Sequence, residues 1–537
     1  MRRRCYFLLM ALILSCGSAK NTAANKDAEQ PNIVLILADD MGFSDLGSYG
    51  GEIGTPSIDR LAKEGIRFTR MYNNAWCSPS RASLLTGLYP QQAGMGVLAE
   101  PKPGPAGPYQ GYLNEYCVTL AEVLKSAGYT TALSGKWHLG DSQPYWPTNR
   151  GFEHYFGLIS GASNYFDITK TKSPITTRKM ALNDQPYTPP TEGFYMTDAI
   201  TADAVKTLEE QKNEQKPFFL YVAYTAPHWP LHALPEDIAK YKDKYLGGWD
   251  SLRVQRYNRQ KSMNLFGAET ELSLRDEEVE AWDKLTQKQK EEMAEKMAIY
   301  AAQIDRMDQG IGQILEKLDA IEKKENTIVI FLSDNGGCAE GDIWGFDRRD
   351  NGLPPGGVDS YMSYGQSWAN ASNTPFRYYK KSLLEGGILT PLLIRWPAGI
   401  QKERQGQITN QVAHLVDVMP TLCELAGATY PLTYNGKRIH PMEGQSLVPQ
   451  MLHGKTVARK PLYWALQERK AMQLDNYKLV AASNSAPWEL YNLDQDRVEQ
   501  YDLAASQPDK VAEMAALWKV WAERVEVFKE QPQNTGE

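Results

Sequence analysis

The sequence predicts an α/β protein: a large, mostly parallel sheet flanked by helices, followed by a smaller C-terminal α+β unit with an antiparallel sheet. Three observations carry this. Four short apolar, β-branched runs read as strands buried on both faces: Asn32–Ala38, Thr130–Ser134, Pro217–Tyr224 and Thr327–Ser333. Helical stretches separate them, which is the alternation of a doubly wound core. After Gly427 the pattern becomes short strands with turn signals between them.

The first sixteen residues read as an export segment. Arg2-Arg3-Arg4 is a basic start and Tyr6 to Leu14 an apolar run too short to span a bilayer. Ile13-Leu14-Ser15-Cys16 looks like a bacterial lipobox, with Cys16 the lipidated residue and hence the membrane anchor; a plain cleaved secretory signal is the alternative. Either way the protein is expected to be exported, as a periplasmic or outer-membrane-anchored lipoprotein on the first reading. Residues 17–30 are small and polar and suit a tether.

From residue 31 to about 430 lies the expected catalytic unit. Helices are expected at Ile58–Gly65, Val118–Ala127, Asp198–Lys212 and Met293–Leu318, the first two closed by Gly65 and Gly128. The charged stretch Tyr241–Lys290 reads as a solvated helical excursion. Loops 101–115 and 339–375 are long enough to shape a pocket rim, where Trp344, Tyr361, Tyr364 and Trp368 could stack on a sugar or simply anchor the loop. Residues 431–537 supply strands near 461–464, 470–473, 477–480 and 488–493 and a closing helix from about Asp509 to Phe528.

Composition narrows the partners. The net charge is −7 and Lys and Arg are scattered, which argues against nucleic acid. Six cysteines, two of them in the export segment, show no zinc-like spacing and no disulfide framework.

Each strand ends in polar chemistry, and in an open α/β sheet ligands bind at the carboxyl ends of strands. The tails are Asp39-Asp40, Gly135-Lys136-Trp137-His138, the segment up to His228, and Asp334-Asn335-Gly336-Gly337. Any single tail is equally a helix cap or solvated turn; four together suggest one site. Asp39, Asp40, Asp334 and Asn335 offer only oxygen, which suits calcium or magnesium better than zinc. His228 and His232 are separated by Pro230, which argues against a helical zinc motif.

The most informative string is Cys77-Ser-Pro-Ser-Arg81-Ala-Ser-Leu-Leu-Thr-Gly87. Pro79 suits a first helical turn and Gly87 a stop, so Cys77 would sit at a helix start where unpaired N–H groups favour negative charge. Arg81, one turn on, can point to the same place. That is a nucleophile beside an anion site; a buried structural cysteine is the plain alternative.

Asp39-Asp40-Met41-Gly42, the Cys77–Gly87 string, Ser134–Gly140 and Ser333–Gly337 resemble, in this order, the motifs of the type I, formylglycine-dependent sulfatases of the alkaline-phosphatase-like superfamily. Trp368–Pro375 and Glu385-Gly386-Gly387 look like the bacterial arylsulfatase-type members. The resemblance implies that Cys77 is oxidised to formylglycine by a formylglycine-generating or anaerobic sulfatase-maturating enzyme, and that its hydrate is the nucleophile. It implies one calcium ion held by Asp39, Asp40, Asp334, Asn335 and the modified Cys77. Arg81 and Lys136 would clamp sulfate oxygens, His228 and Lys380 would steady and protonate the leaving alcohol, and His138 would deprotonate the second hydroxyl as sulfate departs. The family lysine stands five residues before Glu-Gly-Gly, which selects Lys380 over Lys381. His232 supports the site or is structural. Family members often place a polar group downstream of Lys-x-His, and here Ser160, Ser163 and Asn164 all qualify.

The implied substrate is a sulfated carbohydrate, a galactose or hexosamine sulfate. A small aryl sulfate, a phosphonate or phosphate diester, a zinc phosphatase of the same fold, and a non-catalytic glycan-binding lipoprotein are the alternatives.

Overall fold

The computed structural model describes residues 30–99, 106–171 and 178–529. The export segment with Cys16, almost all of the tether and part of loop 101–115 lie outside the described residues. Among the described residues, no helix is long and apolar enough to cross a membrane.

The four expected strands form and lie side by side. We label the main-sheet strands β1 (Asn32–Ala38), β2 (Ile66–Tyr72), β3 (Thr130–Gly135), β4 (His154–Leu158), β5 (Phe218–Ala223), β6 (Thr327–Ser333) and β7 (Leu389–Arg395). Their order in an eleven-stranded sheet is β2-β7-β6-β1-β5-β3-β4, extended by short edge strands. The central run β6-β1-β5-β3-β4 is parallel, and β7 is antiparallel to both neighbours. All residues of β1, β5 and β6 are buried, as expected for strands covered by helices on both faces. Their ends are level: Ala38 pairs with Ser333, Leu37 with Ala223, and Gly135 with Ala223. The residues that follow, Asp39, Lys136 and Asp334, therefore leave the sheet along one edge.

The expected helices form with small shifts at their ends: α1 (Pro56–Glu64), α2 (Cys77–Thr86), α3 (Leu120–Ser126), α4 (Met196–Glu210), α5 (Gly248–Ser262) and α6 (Gln287–Ala320). Gly65 after α1 is required by close approach, since a Cβ there would lie 2.2 Å from the Ile394 carbonyl oxygen. α3 starts on a capping box: Glu122 N–H donates to Thr119 Oγ1 at 3.1 Å and Thr119 N–H to Glu122 Oε2 at 2.7 Å. Thr119→Ala should lower stability by about 1–2 kcal/mol in urea unfolding.

One expectation is corrected here. Residues 241–290 are partly helical and carry many exposed side chains, as expected, but the segment is not solvated throughout. α5 buries Trp249 and Arg256, whose guanidinium pairs with Asp45 at 2.7 Å and Glu52 at 2.8 Å. Trp249 meets Trp282 and Trp368 edge-on at 4.7 and 5.5 Å. The charged residues that made the segment look solvated include one that is paired inside. Tyr361, Tyr364 and Trp368 are likewise buried, so they anchor loop 339–375 rather than offer a surface for a sugar.

The C-terminal strands β8 (Leu462–Leu466), β9 (Arg469–Leu474), β10 (Tyr477–Ala481) and β11 (Glu489–Asn492) form a separate antiparallel sheet in that order, followed by α7 (Pro508–Arg524). Trp518 and Trp521 of α7 pack against Met472, Leu479 and Leu490. A buried ionic cluster ties this sheet to the main one. Lys478 of β10 sits 3.1 Å from Glu385 and 2.7 Å from Glu499, Arg497 pairs with Glu385, and the Tyr72 hydroxyl donates to Glu385 at 3.0 Å.

Candidate active site

Cys77 opens α2, and every residue of that helix is buried. No side chain caps it, and Gly87, with φ +70°, ends it by returning its N–H to the Ser83 carbonyl. Cys77 Sγ lies 3.8 Å from Asp40 Oδ1 and is 2% exposed. Burial pushes its thiol well above the usual range, more than the Lys136 and Lys380 charges can offset. As a free thiol it is a poor nucleophile.

Arg81 crosses the site. Its Nε and Nη2 donate to Asp334 Oδ2 at 3.1 and 2.9 Å, Nη1 to the Lys136 carbonyl at 3.3 Å, and Nη2 stands 3.5 Å from Asp39 Oδ1. Lys136 Nζ donates to Asp39 Oδ2 at 2.6 Å. One guanidinium thus touches groups following β1, β3 and β6, which is how the level strand ends become one site. Asp40, at φ +64°, turns its carboxylate into the centre, where it accepts from Asn335 Nδ2 at 2.6 Å and Lys380 Nζ at 3.0 Å. Burial favours the neutral acid there, but His228, Lys380 and Asn335 hold the Asp40 carboxyl below its usual range. Asp334 shows the opposite outcome: burial and the Asp39 charge push it up to about 7 despite Arg81.

The two glycine-rich motifs meet at Lys380. Gly336 N–H donates to the Gly387 carbonyl at 3.1 Å, and Lys380 N–H to the Gly337 carbonyl at 3.1 Å. A Cβ at Gly336 would lie 2.0 Å from the Gly386 carbonyl oxygen, so both strings need their glycines to place the lysine beside Asp40.

His228 Nδ1 lies 2.7 Å from the Trp229 carbonyl, a partner that can only accept, so Nδ1 carries the proton. Nε2 faces Asp40 Oδ2 at 3.3 Å. Burial lowers the ring to about 4, against the pull of Asp40, so at neutral pH a bare lone pair faces a carboxylate. His138, at φ +55°, packs on Gly161, where a Cβ would stand 2.4 Å from the ring Nε2, and its Nδ1 has no hydrogen-bond partner. Burial and the Lys136 and Arg81 charges keep it neutral.

The expected site residues Asp39, Asp40, Cys77, Arg81, Lys136, His138, His228, Asp334, Asn335 and Lys380 all come together. His232 does not join them; its ring bonds to the Ser360 carbonyl at 2.9 Å and accepts from Tyr165 N–H at 3.3 Å. Among the three open polar candidates, Ser160 accepts from Lys179 N–H, Asn164 accepts from Phe166 and Asp167 N–H and donates to the Val358 carbonyl at 2.7 Å, while the buried Ser163 hydroxyl has no partner. Glu340 was not foreseen. It stands 3.5 Å from Lys380 and 3.3 Å from Lys381, and those lysines hold its carboxyl down to about 2 against burial. Its lone acidic letter in a polar loop carries no signal. Lys381, partly exposed, also lies over the Trp76 ring at 5.4 Å.

These residues fit a cation. Ligand atoms of Asp39, Asp40, Cys77 and His228 lie within 4.8 Å of one another. Asp39 Oδ1 and Asn335 Oδ1 are buried acceptors with no hydrogen-bond donor, and acceptors left so are costly without a positive partner. His228 joins this cluster unforeseen, whereas Asp334 gives its oxygens to the Asp40 N–H, at 3.1 Å, and to Arg81.

One cavity opens beside this centre and another lies away from it. A cleft of about 1000 Å³ runs from Lys380 and Glu340 past Arg275, Arg377 and Tyr378 to Arg469 of the C-terminal sheet. A more apolar one of about 800 Å³, lined by Phe166, Phe194, Ile238 and Val358, touches none of the candidate residues.

Comparison with known proteins agrees with the geometry. The sulfatase family profile matches residues 31–428, and the profile of the N-sulphoglucosamine sulphohydrolase C-terminal region matches residues 375–524. An arylsulfatase of Klebsiella aerogenes is 35% identical over 83% of this chain and 96% of its own. An N-acetylgalactosamine-6-sulfatase of Rattus norvegicus is 29% identical over 88% of this chain and 76% of its own. The solved structure of Ps i-CgsB with a k-i-k-neocarrahexaose superposes with a TM-score of 0.70 at 26% identity, covering 94% of this chain and 96% of that one. With the same strand-end architecture and a family match over most of its length, the chain belongs to the sulfatase family and is a sulfuric ester hydrolase.

Proposed function

We propose that this protein removes sulfate from a sulfated carbohydrate, a galactose or hexosamine sulfate, using formylglycine at position 77 and one calcium ion. The observation that carries the reading is the placement of Cys77 at an uncapped helix start, 3.8 Å from Asp40 and within a shell of paired cations. A thiol whose ionisation is suppressed by burial has no catalytic use there; an aldehyde hydrate needs no thiolate. The rat relative is named for a sulfated hexosamine, and the cleft beside Lys380 has room for sugar residues.

Asp39, Asp40, Asn335 and residue 77 would hold the calcium, with Asp334 beside them. The ion would neutralise the crowded carboxylates and polarise a sulfate oxygen. Arg81 and Lys136 orient the other sulfate oxygens with charge already fixed in place. His228 and Lys380 meet the ester oxygen that becomes the leaving alcohol, and Lys380 carries a proton because Asp40 and Glu340 raise it well above the usual range against burial. His138, neutral with a free Nδ1, accepts a proton from residue 77. Residues 31–430 supply this chemistry, and Arg469, Val480, Glu489 and Gln500 of the C-terminal unit close one side of the cleft. Oxidation of Cys77 requires a formylglycine-generating or anaerobic sulfatase-maturating enzyme, and the N-terminal segment would export the product, anchored through Cys16 or free in the periplasm.

The arylsulfatase relative favours a second reading, small aryl sulfates. Sulfate release from sulfated galactose and hexosamine saccharides against 4-nitrophenyl sulfate decides between them. The proposal requires a higher kcat/KM on a saccharide, and preference for the aryl ester overturns it. Exhaustive dialysis against EGTA should lower the rate at least about 100-fold, with calcium restoring it and zinc not.

A further inference from the structure

We infer that the wall beside His228 holds a second anion site, formed by Arg178, Arg348 and Arg349 beside Trp229, which takes a carboxylate or second sulfate on the substrate. This rests on the carbohydrate reading above and narrows it to saccharides with at least two anionic groups.

The Trp229 ring stands 4.5 Å from His228. The Arg348 guanidinium lies over that ring at 4.6 Å and over Phe346 at 4.1 Å. Tyr361 lies 5.9 Å from Trp229, and its phenol feels the charges of Arg178, Arg348 and Arg349 together. Trp229 and Tyr361 pack with Cys338, whose Sγ is 3.8 Å from Lys380 Nζ. The arginine cluster therefore adjoins both groups assigned to the leaving oxygen.

Its donors are idle. Arg178 Nε, Arg348 Nη1, Arg349 Nε and Trp229 Nε1 are buried atoms without a hydrogen-bond partner, while the Tyr361 phenol is held by Arg178. The buried Arg81, Arg256 and Arg497 are each paired with a carboxylate, and the buried Arg253 bonds to Ser273 oxygens instead. Among the described residues, the nearby Asp359 is engaged by Lys170 at 2.5 Å, and Asp347 Oδ1 accepts backbone N–H groups of Arg349 and Asp350. Clustered cations repel, and buried donors without acceptors are destabilising; an anionic ligand group relieves both. Guanidinium forks match the planar edge of a carboxylate and the faces of a sulfate. The stacking on Trp229 and Phe346 fixes Arg348 before a ligand arrives, which lowers the entropy lost on binding.

The test compares kcat/KM on three saccharides: a monosulfated hexosamine, its disulfated counterpart, and a monosulfated disaccharide carrying a uronate. The wild type should prefer a doubly anionic saccharide at least about 10-fold, and the arm preferred tells whether the second group is sulfate or carboxylate. In Arg348→Gln, Arg349→Gln and the double variant that ratio should fall about 10- to 100-fold, through KM, as expected for a lost charge-assisted hydrogen bond. No preference in the wild type, or equal losses on all three saccharides, overturns the arginine site while leaving the carbohydrate reading intact. Turnover of 4-nitrophenyl sulfate with neither hydrolysis of nor inhibition by any saccharide overturns both.

Discussion

Cys77→Ala should lower kcat for sulfate release by about 10⁴-fold or more while leaving the fold in place. The hydrogen-bond contact that alanine forfeits among the described residues is with Asp40 Oδ1, at 3.8 Å. The carboxylate and cation framework of Asp39, Asp334, Arg81 and Lys136 is bonded among its own members. Loss of rate with an unchanged urea midpoint therefore reports lost chemistry. Mass analysis of the wild-type peptide spanning residue 77, from protein made in its native host, supplies the companion result: an aldehyde in place of the thiol. Turnover near the wild-type rate in the alanine variant would remove the nucleophile from the mechanism.

Lys478→Met should destabilise the protein by about 3–5 kcal/mol at pH 8 and lower its melting temperature by about 3–5 °C. Lys478 is fully buried between Glu385 and Glu499, and its removal leaves two carboxylates facing each other with Arg497 as the remaining cation. The sign of the pH dependence follows from the wild type. Burial and the Glu385 charge push Glu499 up to about 7, so the stability it contributes is full below about pH 4.5 and is lost as pH rises through 7. Glu385 is held below its usual range by Lys478 and Arg497 in spite of burial, so its contribution is present above about pH 4.5 and lost only as pH falls through its folded value. Without the lysine, ionising both acids becomes harder still. The deficit of the variant should therefore widen from pH 5 to pH 8. A deficit independent of pH would show that packing, not charge, is what Lys478 contributes.

What could be read beforehand was whatever is local in the chain. β1, β3, β5 and β6 are continuous apolar runs, and their polar ends follow immediately. Cys77 and Arg81 share one helix, and Lys136 and His138 share one strand end. Pairings across the fold could not be read. Nothing near Arg81 in the chain says that its partner is Asp334, or that His228 offers a ligand atom within 4.8 Å of those of Asp39, Asp40 and Cys77. Charge content misled at 241–290, because a helix with many lysines and arginines looks solvated until one of them, Arg256, is found between Asp45 and Glu52. The arginine cluster was invisible for the same reason: Arg178 and the Arg348-Arg349 pair meet only when loop 339–375 folds over Trp229.

The depth of Cys77 also sets an order of events in biogenesis. At 2% exposure, beside Asp40 with its Lys380 partner, Cys77 is covered by the described residues of the finished fold, which a second protein's reactive centre would have to displace to grip the peptide around it. Translation delivers this cysteine long before Asp334 and Lys380 leave the ribosome, and until they arrive the helix has no lid. On the formylglycine proposal, conversion of that side chain belongs to the interval while the polypeptide is still nascent or unfolded, and a molecule that folds first would stay inactive.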